Sequence, residues 1–478
     1  MRRAALAVAA LALLVTGCSS QGPGAGEPAP SAPETGATGA GAPAEAPPAE
    51  TSPPERPREA LVTVVDGDLG TRVAGAEVTV AAEGGSSDER GLARVPLPRK
   101  GSLVVGIEAP GYVPKRVRLD FRDRRRYTIR IYQEALQWPF YGATFARTQA
   151  QPRIELRPPF RTVWSRGVGS LVEFPAVVWE GIAYVNTLEG VLYALSMRDG
   201  RVLWSQQMGT KTASSPAVDP ASRTLVLTTM EPGDFQVRDL RDGTLLWSFA
   251  TGLTEPSPVV RDGIAYFAAT SGNIYAVDLE RREVRWTYAA GSKITSSPAL
   301  AGDRLFVGDY AGRVLCLDAR DGSLIWSGSA GSKVYGTVAV AGGRVFAPAV
   351  GSGLAALSAR DGSLLWRVPT GSYTYASPAV DAGRVFFADY GGNVYATAAA
   401  TGDVLWRGDA GGSVSGALTV VDGVVYAGSF AGRITGWNTR TGEEVLRFPH
   451  GEYVPVSGNG GRLLFHGFSR IYAVEPTS

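Results

Sequence analysis

Through the C-terminal two-thirds of the chain, short runs rich in Val, Leu, Phe and Tyr alternate with Asp-Gly, Thr-Gly and Gly-Gly pairs. Short apolar runs bounded by such pairs read as strands joined by tight hairpins. Within 333–366 the pattern predicts four strands, at 334–340, 344–349, 354–357 and 363–368, the last carrying Trp366. The unit recurs. Trp164, Trp204, Trp247, Trp286, Trp326, Trp366 and Trp406 stand at intervals of 40, 43, 39, 40, 40 and 40 residues, and one more step of 40 reaches Leu446. Five residues after each of these positions stands a glycine, from Gly169 to Gly451. A period of this size with strand patterning predicts a β-propeller, one blade per repeat.

The two ends of the array complement each other. The last repeat has three strands, at 453–456, 462–468 and 470–474, and lacks the Trp strand, while the first Trp strand, 161–165, has no repeat before it. Joined, they make an eighth blade and remove the open sheet edge that would invite aggregation. The expected fold is therefore all-β: an eight-bladed propeller over 137–478, its last blade closed by the N-terminal strand, with the seven tryptophans packing between blades. Ahead of it, 59–133 reads as a small β-sandwich with strands at 61–65, 76–81, 92–96, 103–109, 115–121 and 127–132. The run Arg122-Asp123-Arg124-Arg125-Arg126 reads as a solvated turn.

The first residues give an address. Arg2 and Arg3 precede an apolar run at 4–15, of signal-peptide length and too short to span a membrane as a mature helix. Residues 1–17 read as a signal peptide. The sequence Leu14-Val15-Thr16-Gly17-Cys18 resembles a bacterial lipobox, which implies that Cys18 is lipidated and becomes the mature N-terminus. Residues 18–58 are Pro, Ala, Gly, Ser and Glu with almost no large apolar side chain, a linker that cannot offset its own ordering entropy.

Two resemblances add to this reading. The run Cys316-Leu317-Asp318-Ala319-Arg320-Asp321-Gly322-Ser323-Leu324-Ile325-Trp326 resembles the tryptophan-docking motif of the pyrroloquinoline-quinone (PQQ)-like propeller superfamily, Ala-x-Asp-x-x-x-Gly-x-x-x-Trp, at all but its first position. Asp239 and Asp278 keep the acid in their repeats, and Arg282 replaces the glycine. Eight blades on a lipoprotein are similar to the BamB-like branch, whose members are outer-membrane assembly proteins; the added module and long linker set this chain apart. The stretches 62–66, 73–78, 88–91 and Gly111-Tyr112-Val113-Pro114 resemble the carboxypeptidase regulatory-like (transthyretin-like) domain, which implies a non-catalytic sandwich.

Little catalytic chemistry is on offer. Two cysteines occur, Cys18 and Cys316, and two histidines, His450 and His466. No structural disulfide is available once Cys18 is lipidated. Cys316 sits where other repeats carry Ala194 and Ala276, as a small packing residue. Two isolated histidines make neither a metal cluster nor a convincing general base, and His466 is placed where the repeat has Gly308, in a structural role. PQQ-dependent dehydrogenases of the superfamily use a vicinal cysteine pair, which this chain lacks. With 47 Lys and Arg against 45 Asp and Glu, the net charge is +2, and nothing points to nucleic acid.

The remaining candidate is one face of the disc. Seven residues after each Trp position come Leu171, Lys211, Thr254, Lys293, Lys333, Tyr373, Ser413 and Tyr453, and two further on Thr295, Tyr335 and Tyr375. The loops between second and third strands of the same face add Tyr310, Tyr390, Phe430 and Phe468. Lys211, Lys293 and Lys333 thus adjoin an aromatic half-ring of Tyr373, Tyr453, Tyr310, Tyr390 and Phe430, a surface suited to peptides, anionic polymers or glycans. The expected protein is a non-enzymatic monomer, without cofactor or metal, anchored by lipid outside the cytoplasm and acting as a protein-interaction or assembly scaffold. A cell-wall or glycan binder is the alternative, and a PQQ-dependent dehydrogenase stands behind both.

Overall fold

The computed structural model describes residues 58–477. The leader, Cys18 and all but the last residue of the linker lie outside the described residues. Eight antiparallel sheets of the repeated kind follow one another, covering 177–207, 217–250, 259–289, 299–329, 339–368, 379–409, 419–448 and, last, 456–476 together with 160–167. They are numbered here from first to eighth. The eighth draws on both ends of the array: Arg470–Pro476 pairs antiparallel with Phe160–Gly167, with Ala473 opposite Trp164.

The predicted second to fourth strands lie within a residue of the observed Arg344–Ala349, Gly353–Ser358 and Leu364–Val368. The first is shorter than predicted, Ala339–Ala341, and only Val334 of the preceding stretch makes a bridge, to Ala349. In the last repeat the first strand lies later than expected, at Val456–Gly458 and not 453–456.

The short first strands are met by the lead-in to the array. Residues 136–151 run across the inner strands and use their backbone as a hub. Val178 and Trp138 exchange hydrogen bonds, and the carbonyls of Pro139, Phe145, Ala146, Thr148 and Gln149 accept from Val218, Leu300, Val340, Val380 and Val420. That reaches the first, second, fourth, fifth, sixth and seventh sheets. Leu136 lies against Gly460 of the eighth. The third is reached by Arg147, which is fully buried and donates Nη2 to the carbonyls of Ser257 and Pro258, both at 3.0 Å, and Nε to Pro298 at 2.8 Å. Burial holds its guanidinium down to about 9.

Between sheets, the tryptophans explain the motif. The ring of Trp326 covers Gly362 in the next sheet, where a built Cβ would lie 2.5 Å from it, and its Nε1 donates to the carbonyl of Ala359 at 3.2 Å. Trp164, Trp286, Trp366 and Trp406 repeat the bond one sheet on, to Met197, Ala319, Ala399 and Thr439. Gly362 has φ +77°, a left-handed turn conformation that a side chain disfavours, so both backbone and ring demand glycine. At the equivalent position Arg282 accepts φ 59°. Leu446 replaces Trp where the following, eighth sheet joins two chain ends and has no such turn.

Residues 59–131 form two further sheets. Glu59–Asp66 runs between Leu92–Pro96 and a parallel partner, Arg126–Ile131, and the second sheet is ordered Glu83–Ser86, Glu77–Val80, Ser102–Glu108, Lys115–Asp120. Alternate residues such as Val62, Val64, Val78, Val105 and Ile107 share one core. The strand Glu83–Ser86 was not expected, because Glu-Gly-Gly-Ser has no apolar alternation to announce it. Asn459 donates to Asp68 at 2.7 Å, tying this part to the eighth sheet.

His466 stands in the place of Gly308. It pairs with Ile471, two residues before Ala473, which faces Trp164, as Gly308 pairs with Val314, two residues before Cys316, which faces Trp326. It is 2% exposed and joins the first and eighth sheets: the Ala176 N–H donates to Nε2 at 3.1 Å, and Nδ1 faces the Pro455 carbonyl at 3.3 Å.

Two measurements check these packing arguments. Gly362→Ala puts a Cβ under the Trp326 ring at a left-handed residue, and is expected to cost about 2–4 kcal/mol in urea unfolding. Arg282→Gly, which restores the repeat's glycine, is expected to cost nothing; equal losses from both would contradict the docking explanation. The second concerns acid. Burial holds His466 down at about 4 against an ordinary 6.5. Between those values the unfolded chain binds a proton that the folded chain refuses, so stability is present above pH 6.5 and falls as pH drops towards 4. The loss is on the order of 3 kcal/mol. His466→Gln is expected to flatten that slope in melts between pH 7 and 4.5; an unchanged slope would contradict the assignment.

Candidate functional site

The two loop sets expected on one face do meet there. Backbone N–H groups of Leu188, Met230, Tyr310, Val350, Tyr390 and Phe430, all in middle loops, donate to the carbonyls of Leu171, Lys211, Lys293, Lys333, Tyr373 and Ser413, which follow the fourth strand of the preceding sheet. The repeat thus stitches neighbouring loops into a rim and fixes what each side chain faces.

The aromatic residues of the rim form one connected arc. Ring centroids run from Tyr310 to Tyr335 at 6.2 Å, to Tyr375 at 5.3 Å, to Tyr390 at 5.5 Å, to Phe430 at 6.0 Å and to Tyr453 at 5.2 Å. Most contacts are edge-to-face or tilted, the arrangement ring quadrupoles favour. Tyr373 sits beside Tyr375 at 5.9 Å and is 55% exposed, so part of the arc is open to solvent.

The arc borders a cavity of about 620 Å³, termed the mouth. Lys333, Tyr373, Tyr390, Phe430 and Tyr453 of the expected residues line it, together with Tyr335 and Tyr375. Tyr141 lines it too, its hydroxyl donating to Ser377 Oγ at 3.1 Å. The lead-in therefore contributes to the cavity wall, and Arg147 holds it there by donating to the Tyr141 carbonyl.

The lysines divide. Lys293 and Lys333 both place their ammonium groups over the Tyr310 ring, at 5.1 and 4.8 Å from its centroid. Lys211 and Lys293 do not line the cavity. Lys211 bridges to Glu231 through its backbone. Three residues after Trp strands were missed: Glu173, Phe174 and Glu255, all in the cavity wall. A signal existed for Glu173, which stands nine residues after Trp164 as Tyr335 and Tyr375 stand nine after Trp326 and Trp366. Burial, then the neighbouring Glu255, raises the Glu173 carboxyl above its ordinary value, against the charge of Lys211. The mouth is thus not a uniformly cationic surface.

The other chemical candidates lie away from the mouth. Cys316 is fully buried opposite Trp326, and burial pushes its thiol up to about 12. It is the only cysteine among the described residues. No vicinal pair can cover a quinone, so the residues present do not fit the quinone site that the PQQ-like resemblance implies. His450 stacks on Tyr472 with ring centroids 4.8 Å apart, at the outside of the eighth sheet.

Comparison with known proteins follows the repeat. Two overlapping stretches, 157–296 and 270–466, match the family described as "Outer membrane protein assembly factor BamB". The protein of that name from Yersinia pestis is 28% identical over 149 residues, 28% of this chain and 37% of the relative. The chain therefore spans little more than a third of the length of the curated relatives it matches. Among solved structures, BamB from Moraxella catarrhalis superposes with a TM-score of 0.57 at 16% identity, covering 66% of this chain and 99% of that one. The quinohemoprotein alcohol dehydrogenase from Comamonas testosteroni gives 0.60 at 14% identity, covering 72% and 81%. At these identities the structures speak for the propeller fold alone.

Proposed function

We propose, for a chain that belongs to the family described as outer membrane protein assembly factor BamB, that it is a non-catalytic, lipid-anchored scaffold of the cell envelope whose propeller mouth holds a protein partner. In this reading the eight sheets close into one ring, the eighth blade formed from both termini of the array. Residues 59–133 serve as a carboxypeptidase regulatory-like spacer, and 18–58 tether the folded part to lipidated Cys18, at the outer face of the cell membrane or at an outer membrane. The scaffold acts as a monomer.

The observation that carries the proposal is the arc from Tyr310 to Tyr453 around a cavity at the rim of a regular array. Connected, half-exposed tyrosines are what protein interfaces concentrate, since they bring contact area at little entropic cost. Such arcs also stack on sugar rings, which keeps a cell-wall glycan as the second reading. A quinone enzyme is disfavoured by the single, buried Cys316.

Two experiments test the proposal. A photo-crosslinking amino acid placed at Tyr373 or Phe430 in living cells is expected to trap an envelope protein, while the same residue at Arg320 or Arg360, in turns away from the mouth, is expected to trap none. Equal adducts from both sets, or none from the mouth, would contradict it. For the anchor, Cys18→Ala is expected to move the protein out of the detergent phase of a Triton X-114 partition. A variant that stays with detergent would contradict lipidation at Cys18.

A further inference from the structure

The mouth cavity has two unlike walls. One is aromatic, with Tyr335, Tyr375 and Tyr453; the other carries Glu173 and Glu255. The walls face each other closely enough to be felt. Tyr335 is pushed up to about 12, first by loss of water and then by Glu255, Tyr310 and Glu173. Tyr453 is raised by loss of water and then by Glu173.

Nothing resident satisfies the acidic wall. Among the described residues neither carboxylate enters an ion pair or accepts a side-chain hydrogen bond; Glu173 feels Lys211 only at longer range and is set against Glu255. The lysine that lines the cavity, Lys333, already spends its charge on the outer ring of Tyr310. A neutral or anionic guest would leave two partly desolvated carboxylates repelling each other. A cation between them and the ring faces would relieve that repulsion and gain ring quadrupole attraction as well.

We infer that the cavity seats an arginine or lysine side chain of a basic segment in the protein partner, held between Glu173 and Glu255 and the rings of Tyr335, Tyr375 and Tyr453. The inference rests on the reading of the mouth as the partner surface and gives that partner a charge. It sets aside the anionic polymer that the lysine series suggested and keeps the peptide. Arginine suits the site best, because its flat guanidinium can lie on a ring while its edge meets a carboxylate.

The full-length lipoprotein in detergent is titrated by fluorescence anisotropy with labelled hexa-arginine, hexa-citrulline and hexa-glutamate peptides, and with an N-acetylglucosamine oligosaccharide. Hexa-arginine is expected to bind and the citrulline peptide, its uncharged isostere, to bind at least about tenfold more weakly. The double variant Glu173→Gln, Glu255→Gln is expected to lose about tenfold towards hexa-arginine, with its melting temperature and circular dichroism retained as the folding check. Lys333→Met is expected not to weaken it. Unchanged arginine binding in the double variant, or no arginine binding at all, overturns the inference. If hexa-glutamate or the oligosaccharide binds instead, and Tyr375→Leu weakens it, the mouth remains a binding surface but the cationic guest is excluded. Absence of cross-links from Tyr373 in cells is the separate result that removes the scaffold reading itself.

Discussion

The structure depends on a tryptophan ring laid over a glycine turn in the neighbouring sheet. A four-stranded sheet of this size cannot bury both its faces alone, and stacking it on the next one is what supplies a core. The Trp–Gly contact sets the spacing of that stack. The ring covers a turn that has no Cβ, its Nε1–H meets a carbonyl three residues earlier in that turn region, and the two restraints fix both distance and register. Losing one such ring would cost about 3–5 kcal/mol by analogy with other buried aromatics. Leu446 stands where no turn exists to receive a ring, whereas the sheet after Trp247 carries Arg282 in place of the glycine and Trp204 Nε1 makes no hydrogen bond.

Stacking alone would leave the middle of the array lined by inner strands with unused backbone groups. The lead-in resolves this. Its carbonyls accept from one residue in each of most sheets, and Arg147 supplies the bonds that the third sheet lacks. The same segment places Tyr141 in the cavity wall. Core packing and candidate site are therefore one construction: the residues that fill the hub also shape the mouth, and the aromatic arc rests on loops whose backbones are stitched pairwise by the repeat.

Much of this was legible in the chain. The Trp interval announced the sheets, and the missing Trp strand at one end with the spare one at the other announced the pairing of Arg470–Pro476 with Phe160–Gly167. The face of the loops followed from the repeat. What was not legible has physical reasons. The hub built by Pro139 to Gln149 was not foreseen, because that segment has no strand periodicity and works through its backbone. The first strand of the eighth sheet was misplaced, and the hairpin between Val456 and Phe465 is two residues longer than its counterpart between Ala299 and Phe306. Glu173 and Glu255 escaped because the rim was read for the residue types it repeats, and they occur where the repeat changes type. Exposed lysines drew attention, yet two of them are seated on Tyr310 and the cavity's own charge is acidic.

The claim that ties fold to function is that the mouth is covered by a partner in the envelope and bare in the isolated protein. Oxidative footprinting of side chains, read by mass spectrometry, compares the two states directly. Tyr373, Tyr390 and Phe430 are 55%, 38% and 38% exposed and should react readily in the purified chain. In intact envelopes their oxidation is expected to fall severalfold, while Phe145 and Leu364, at 39% and 52% exposure away from the arc, react as before. Equal oxidation of the arc in both states would contradict the account.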